Sequence, residues 1–211
     1  MASEAVRRLI EFVQPIQKRH HLPWVQMALV RRHGEMEAVE LPATEKTQPF
    51  QPGDFHIYPI ACLTKLVTSL AVLRLRDQGH IALDDKLSAF LPEVVRPTYD
   101  PRLAAVTVRQ LLSHTSGLPF GGYDCQRRDE SDPAHLFSWA RLFSTPGERV
   151  KYSDVGYITL GHIIEAVTGH AVASHLKEDI VRPLGLNASG FQLAECDDQA
   201  LLAREMPGYH G

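Results

Sequence analysis

The chain is poor in the features that mark whole classes of protein. Of its 211 residues only three are cysteine: Cys62, Cys125 and Cys196. Their odd number, wide spacing and lack of a CxxC pair argue against a disulfide framework or a zinc knuckle. Neither sign of charge dominates, since 22 lysines and arginines face 25 acidic residues for a formal net charge of −3. No basic stripe offers a nucleic-acid footprint, and no run of like charge forms a tail. No apolar window approaches the length that spans a bilayer. The stretch from Met1 to Ile10 lacks the apolar region of a secretory signal, so a cytoplasmic location is the expectation. Asn187-Ala188-Ser189 matches a glycosylation sequon, which without such a signal reads as a chance tripeptide. The 11 histidines show no HExxH-like spacing, so no metal and no cofactor is assigned.

What is present is an ordinary globular composition, 44% hydrophobic and 22% charged. It is enough for one sizeable core or two small ones. Residues 3 to about 19 read as a helix, with Ser3 as cap and Ala5, Leu9, Phe12, Val13 and Ile16 at helical spacing. Pro15 should distort its last turn. Trp24 to Val30 reads as a strand, which His33-Gly34 turns back into a second strand from about Glu35 to Leu41. Residues 42–54 carry Pro42, Pro49, Pro52 and Gly53 and read as a loop.

From there the pattern is mostly helical. A helix over 62–78 stops at Gly79 and is apolar on several sides, which predicts a buried, central position. Thr107 caps a short helix through Ser113, and Asp132-Pro133 is a helix start. Further helices run from Asp154 to Thr168, stopping at Gly169, and from about Val172 to Val181. The class is α+β, a strand pair followed by a helical region. There is no internal repeat and no clear linker.

Three local features carry chemistry. In Ala61-Cys62-Leu63-Thr64-Lys65 a thiol opens a helix, at the positive end of its dipole, with a lysine one turn on. Both effects favour the thiolate, the nucleophilic form. The bland alternative is an inert core cysteine beside a surface lysine. In Lys151-Tyr152-Ser153-Asp154 a tyrosine precedes a helix and can act as a base if a cation lowers its pKa. Equally, its ring can simply pack, with Asp154 serving as an N-cap. In Leu111 to Pro119, His114 is either a catalytic group or a satisfied structural histidine at a helix end.

Taken in order, these pieces resemble the β-lactamase-like serine hydrolases over roughly residues 24 to 193. That superfamily includes class C β-lactamases, DD-peptidases and related esterases and acyltransferases. The resemblance rests on Phe55, the 62–65 motif, Gln78-Gly79-His80-Ile81, Leu83 to Leu87, Phe90 to Glu93, Thr107 to Gln110 and the 111–119 segment. It continues through Pro146-Gly147, Tyr152-Ser153, Gly156-Tyr157, Leu160-Gly161, Ile164-Glu165 and Thr168-Gly169 to Pro183 to Leu186. It implies a β-lactamase/transpeptidase-like fold. It also implies that position 62 is the nucleophile of an S-x-x-K motif, Lys65 its lysine and Tyr152 the tyrosine of Y-x-N. Such enzymes form an acyl-enzyme on the nucleophile, whose own N–H supplies half of the oxyanion hole.

The chain departs from that pattern at three points. Position 62 is Cys where the family has Ser, which leaves a natural thiol nucleophile, an engineered variant of a serine enzyme, or a relic. The Y-x-N asparagine is Asp154, which when ionised can only accept hydrogen bonds. It is expected to contact substrate or to pair with Lys65. The family's late K-T-G or H-x-G triad is missing, because Tyr209-His210-Gly211 follows Tyr152 too soon.

The expectation is therefore the N-terminal portion of one catalytic domain. Residues 1–54 form the helix and strands, 55–190 the helical region, and 191–211 the start of a missing remainder. A companion chain or C-terminal fragment completes the sheet, and without it an apolar face is exposed. The implied activity is acyl transfer on small ester, amide or thioester substrates. The alternative is a non-catalytic member that binds a ligand or partner.

Overall fold

Ser3 opens the first helix as its side chain predicts, with Oγ accepting from the Val6 N–H at 3.3 Å. In the computed structural model, residues 3–42, 60–92, 96, 100–121, 136–138, 141–186 and 189–191 are described. Contacts divide the chain into two compact units, residues 1–55 and 56–211.

The first unit holds helix α1 (Glu4–Arg19), which continues through Pro15. Strands β1 (Trp24–Val30) and β2 (Met36–Pro42) pair antiparallel, with Trp24 opposite Pro42 and Val30 opposite Met36. The apolar stripe of α1 is buried unevenly. Val6 is covered, whereas Phe12 is 70% exposed. Gln17 is buried instead, its Nε2 donating to the Leu41 carbonyl at 2.8 Å.

The second unit is helical around one core. A 3-10 turn, Ala61–Leu63, leads into α2 (Thr64–Asp77). Then come α3 (Leu87–Phe90), a 3-10 turn at Pro101–Ala105, and α4 (Val108–Leu112). Helix α5 (Asp154–Thr168) and α6 (Val172–Leu176) follow, and α6 widens into a π-type turn over Lys177–Val181. α4 begins with a capping box, in which Thr107 and Gln110 satisfy each other's backbone N–H. α5 is the hub, touching α2, α3, α4 and α6. Its Val155, Leu160, Ile163 and Ile164 are fully buried, each such side chain contributing about 1.5–3 kcal/mol relative to exposure.

Three expectations change, and two short elements are added. α2 is not buried all round, for Ala71 and Val72 are covered while Leu63, Leu66 and Leu70 are exposed. Its α-helix also starts two residues later than the spacing suggests, after the 3-10 turn. The N-cap of α5 is Ser153 rather than Asp154, because the Ser153 hydroxyl reaches the Gly156 N–H at 2.9 Å. Short α3 and the Pro101–Ala105 turn are not distinguished as helical by their spacing. The expected helix start at Asp132-Pro133, and Phe55, Cys125, Cys196 and Tyr209-His210-Gly211, lie outside the described residues.

Candidate active site

The site forms where two helix starts face each other. Cys62 sits in the 3-10 turn ahead of α2, exposed to solvent and free. Ala61 before it takes a left-handed backbone with φ 45°, a conformation that costs an L-residue about 1–2 kcal/mol. No side chain caps the 3-10 turn or α2. One turn into α2, Lys65 leans toward the start of α5. Its Nζ lies 2.6 Å from Asp154 Oδ1, an oxygen shielded from water, and 4.8 Å from the centre of the Tyr152 ring.

Tyr152 links the lysine to the thiol. Hydrogen bonding to the Cys62 sulfur pushes its phenol up, only partly countered by the hydrogen bond and charge of Lys65. The net direction favours the phenol form while the Cys62 sulfur is its partner. Burial works to strip Lys65 of its proton, but hydrogen bonds to Asp154 and Tyr152, with the nearby negative charge, outweigh it. Its pKa ends above the ordinary lysine value, so Lys65 stands as an ammonium. The order of contacts is carboxylate, ammonium, phenol, sulfur.

The loop from His114 to Phe120 holds the Tyr152 side of this chain in place. The Lys151 N–H donates to the His114 carbonyl at 2.8 Å. The Ser153 N–H donates to His114 Nδ1 at 3.1 Å. The Ser153 hydroxyl donates to the Pro119 carbonyl at 2.6 Å, and the Asp154 N–H to the Phe120 carbonyl at 2.8 Å. The His114 ring stacks on Tyr152 and Tyr157, at 4.5 and 5.0 Å between centroids.

Because Nδ1 accepts, His114 must be neutral to hold this geometry. Burial, with the charge of Lys65, lowers its pKa in the same sense, against a smaller pull from Asp154. His114 is the satisfied structural histidine of the two sequence alternatives. Within the loop, Gly117 adopts φ +79°, and a Cβ there would meet the Ser144 carbonyl oxygen at 2.5 Å. Only glycine lets that backbone pack so closely.

All four residues singled out by the motifs thus meet in one cluster. Asp154, expected to contact substrate or to pair with Lys65, is engaged by Lys65. The spacing does not single out Ser69, Tyr157 and Phe120 for the site. Ser69 Oγ lies 3.0 Å from the Tyr157 hydroxyl, Tyr157 lies 5.8 Å from Lys65 Nζ, and Phe120 packs 6.0 Å from Tyr152. The signals for Tyr157 are its place in the Gly156-Tyr157 pair of the resemblance and its position three residues after Asp154, on the same helix face. Among the described residues, no group of three His, Cys, Asp or Glu side chains could hold a metal ion. No helix among them is long and apolar enough to cross a membrane.

A cysteine at a helix start, a lysine one turn on and a tyrosine beside that lysine, in an α+β frame, fit the penicillin-binding-protein and β-lactamase class. The family model described as Beta-lactamase matches residues 9–208, and the chain belongs to that family. Esterase EstB of Burkholderia gladioli is 32% identical, over 92% of this chain and 53% of the esterase. The octameric penicillin-binding protein homologue from Pyrococcus abyssi superposes with TM-score 0.71 at 30% identity, over 89% of this chain and 44% of that one. EstCE1, a hydrolase with promiscuous acyltransferase activity, shares the fold with TM-score 0.71 at 24% identity, over 90% of this chain and 55% of that one. The chain spans about half the length of each of these three.

Proposed function

We propose that this chain carries the nucleophile half of an acyl-transfer site, acting as a hydrolase or acyltransferase through a covalent intermediate on Cys62. The observation that carries the reading is the clustering of these side chains, with Lys65 paired to Asp154 at 2.6 Å and 4.8 Å from the centre of the Tyr152 ring, whose phenol feels the Cys62 sulfur. Likeness to an esterase supports esters as one substrate class. Small amides and thioesters are the others, and thioesters suit a thiol because sulfur is exchanged for sulfur. A cytoplasmic setting fits, since thiols stay reduced there. A companion chain or further segment completes the sheet and supplies the second oxyanion donor. The roughly twofold length of the relatives supports that element.

The chemistry balances with the groups present. The thiol loses its proton to water, and the thiolate attacks the acyl carbonyl. The tetrahedral oxyanion forms beside the Cys62 N–H. Collapse breaks the bond to the leaving oxygen, which takes the Tyr152 proton as Lys65 replaces it. The neutral Lys65 amine then removes a proton, through Tyr152, from the attacking water. A C–O bond forms, the C–S bond breaks, and the thiolate and ammonium are restored with release of the acid.

A non-catalytic, ligand-binding member is the second reading, favoured by the ion pair that occupies Lys65. A panel of activated esters, amides, thioesters and β-lactams, read by intact mass, separates the two. The enzyme reading predicts an adduct on Cys62 that forms and decays, and that is lost in Lys65→Ala. Reversible binding with no adduct from any donor, with the companion segment present, would overturn it.

A further inference from the structure

The groups of the site arrive on three elements, and one side chain behind them touches all three. Lys65 comes from α2, and Asp154 opens α5. The backbone on either side of Tyr152 is held by His114, just past the end of α4. Tyr157 stands half-buried on α5, one turn after Asp154. Its hydroxyl donates to the carbonyl of Leu112, the last residue of α4, at 3.1 Å. The same oxygen lies 3.0 Å from Ser69 Oγ on α2. A phenol has one proton and Leu112 takes it, so Ser69 is the donor in the second contact. Ser69 shares its proton with the Lys65 carbonyl, 2.8 Å away and one turn back along α2. The two hydroxyls therefore run in one direction, from α2 through α5 to α4.

The Tyr157 ring adds a second restraint. Its centre lies 5.8 Å from Lys65 Nζ and 5.0 Å from the centre of the His114 ring. An ammonium over an aromatic face is drawn to it. Lysine carries its charge on a flexible four-carbon stem, so fixing the helix does not by itself fix Nζ. Tyr157 acts at both ends of that stem, with its hydroxyl near the root and its ring near the tip. Packing alone asks one partner of a buried tyrosine hydroxyl, whereas this one joins two elements.

We propose that Tyr157 is a positioning residue for Lys65: its hydroxyl clips α2 to the end of α4 and its ring steadies the ammonium, so that the lysine meets Tyr152 and Asp154 at a fixed reach. Ser69 is the other half of the clip. Both act through Lys65, and neither takes part in the bond changes. The proposal rests on the acyl-transfer reading for its effect on rate, but not for its effect on the place of Lys65.

Two measurements on the full chain test it, in Tyr157→Phe, in Ser69→Ala and in the double variant. Tyr157→Phe keeps the ring and deletes the hydroxyl, while Ser69→Ala deletes its partner. In the first measurement, single-turnover acylation of Cys62 is followed against the concentration of an activated acetyl ester, well below the melting temperature of each chain. The maximal rate should fall about tenfold in each single variant, as a small misplacement of a catalytic group does, with the half-saturating concentration unchanged. The double variant should be no slower than the singles, because all three lack the same bond. Losses that multiply in the double variant would overturn the proposal. So would parent-like rates accompanied only by a lower melting temperature, the mark of a merely structural tyrosine.

The second measurement is NMR relaxation of the Lys65 ε-methylene. It should report a fixed side chain in the parent and a more mobile one in both single variants. Equal order in parent and variants, or a parent lysine as mobile as an exposed one, overturns the proposal. If Cys62 takes no acyl group in any of the chains while Lys65 loosens in the variants, the acyl-transfer reading fails and the role of Tyr157 stands.

Discussion

The two helix starts that build the site are opposites. α2 begins with no side-chain cap, an exposed thiol and a left-handed alanine. α5 begins with a side-chain cap and a tied backbone. The Ser153 hydroxyl both caps the helix and donates to Pro119, and the backbone on either side of Tyr152 is tied to the 114–120 loop. An uncapped start leaves positive potential, which favours an anion there. A saturated start fixes a side chain in space. The pair therefore divides the labour: α2 presents an open reactive atom, and α5 presents a rigid tyrosine and carboxylate. If Cys62 is the proposed nucleophile, it must meet a substrate, whereas groups that manage its protons must not move.

Removing the α5 cap is the strongest blow to this contrast short of touching the reactive groups. Ser153→Ala deletes the N-cap bond and the tie to Pro119 together. The expected loss is about 1–2 kcal/mol, or a fall in melting temperature of roughly 2–8 °C for a chain of this size. Acylation of Cys62 should slow by tenfold or more as Tyr152 drifts. Thermal melts paired with single-turnover acylation check both, and an unchanged acylation rate would show that Tyr152 does not depend on this cap.

A smaller effect is expected from His114. Its pKa in the folded chain lies below the ordinary value. Stabilisation from its neutral form is therefore fully present above about pH 6.5 and is lost as pH falls through the lower folded value. Stability and acylation should both decline in that window. In His114→Asn an amide oxygen still accepts from Ser153, and asparagine tolerates the left-handed backbone, φ 58°. That variant should flatten the pH slope while losing part of the ring stacking on Tyr152. A slope that persists in His114→Asn would assign it to another group.

Much of this frame is legible in the order of the residues. The hairpin, the Thr107 cap and the Gly169 stop follow from local spacing, and the four motif positions from the family resemblance. Local spacing also gives the cap of α5 to Asp154, because Ser and Asp are both good caps and stand side by side. The choice between them is made by Lys65, 89 residues away in sequence, which draws the aspartate off. His114 stays open between two roles for the same reason. Its partner is the Ser153 N–H, 39 residues on, and no periodicity reports such a contact. The exposed leucines of α2 cannot be told from buried ones by pattern, since apolar residues on several faces say nothing about which face is covered. The same limit holds for Tyr152, which a sulfur from before α2 pushes toward the phenol form and the Lys65 ammonium pulls the other way.

The most direct test of the site is the acylation rate of Cys62 by one activated ester in the parent and in Tyr152→Phe, read by intact mass with the adduct mapped. If Tyr152 passes the proton to the leaving group, its loss should slow acylation by about 10²–10⁴-fold, with the adduct still on Cys62. Equal rates in the two chains, or an adduct elsewhere, would contradict a site built from Cys62, Tyr152, Lys65 and Asp154.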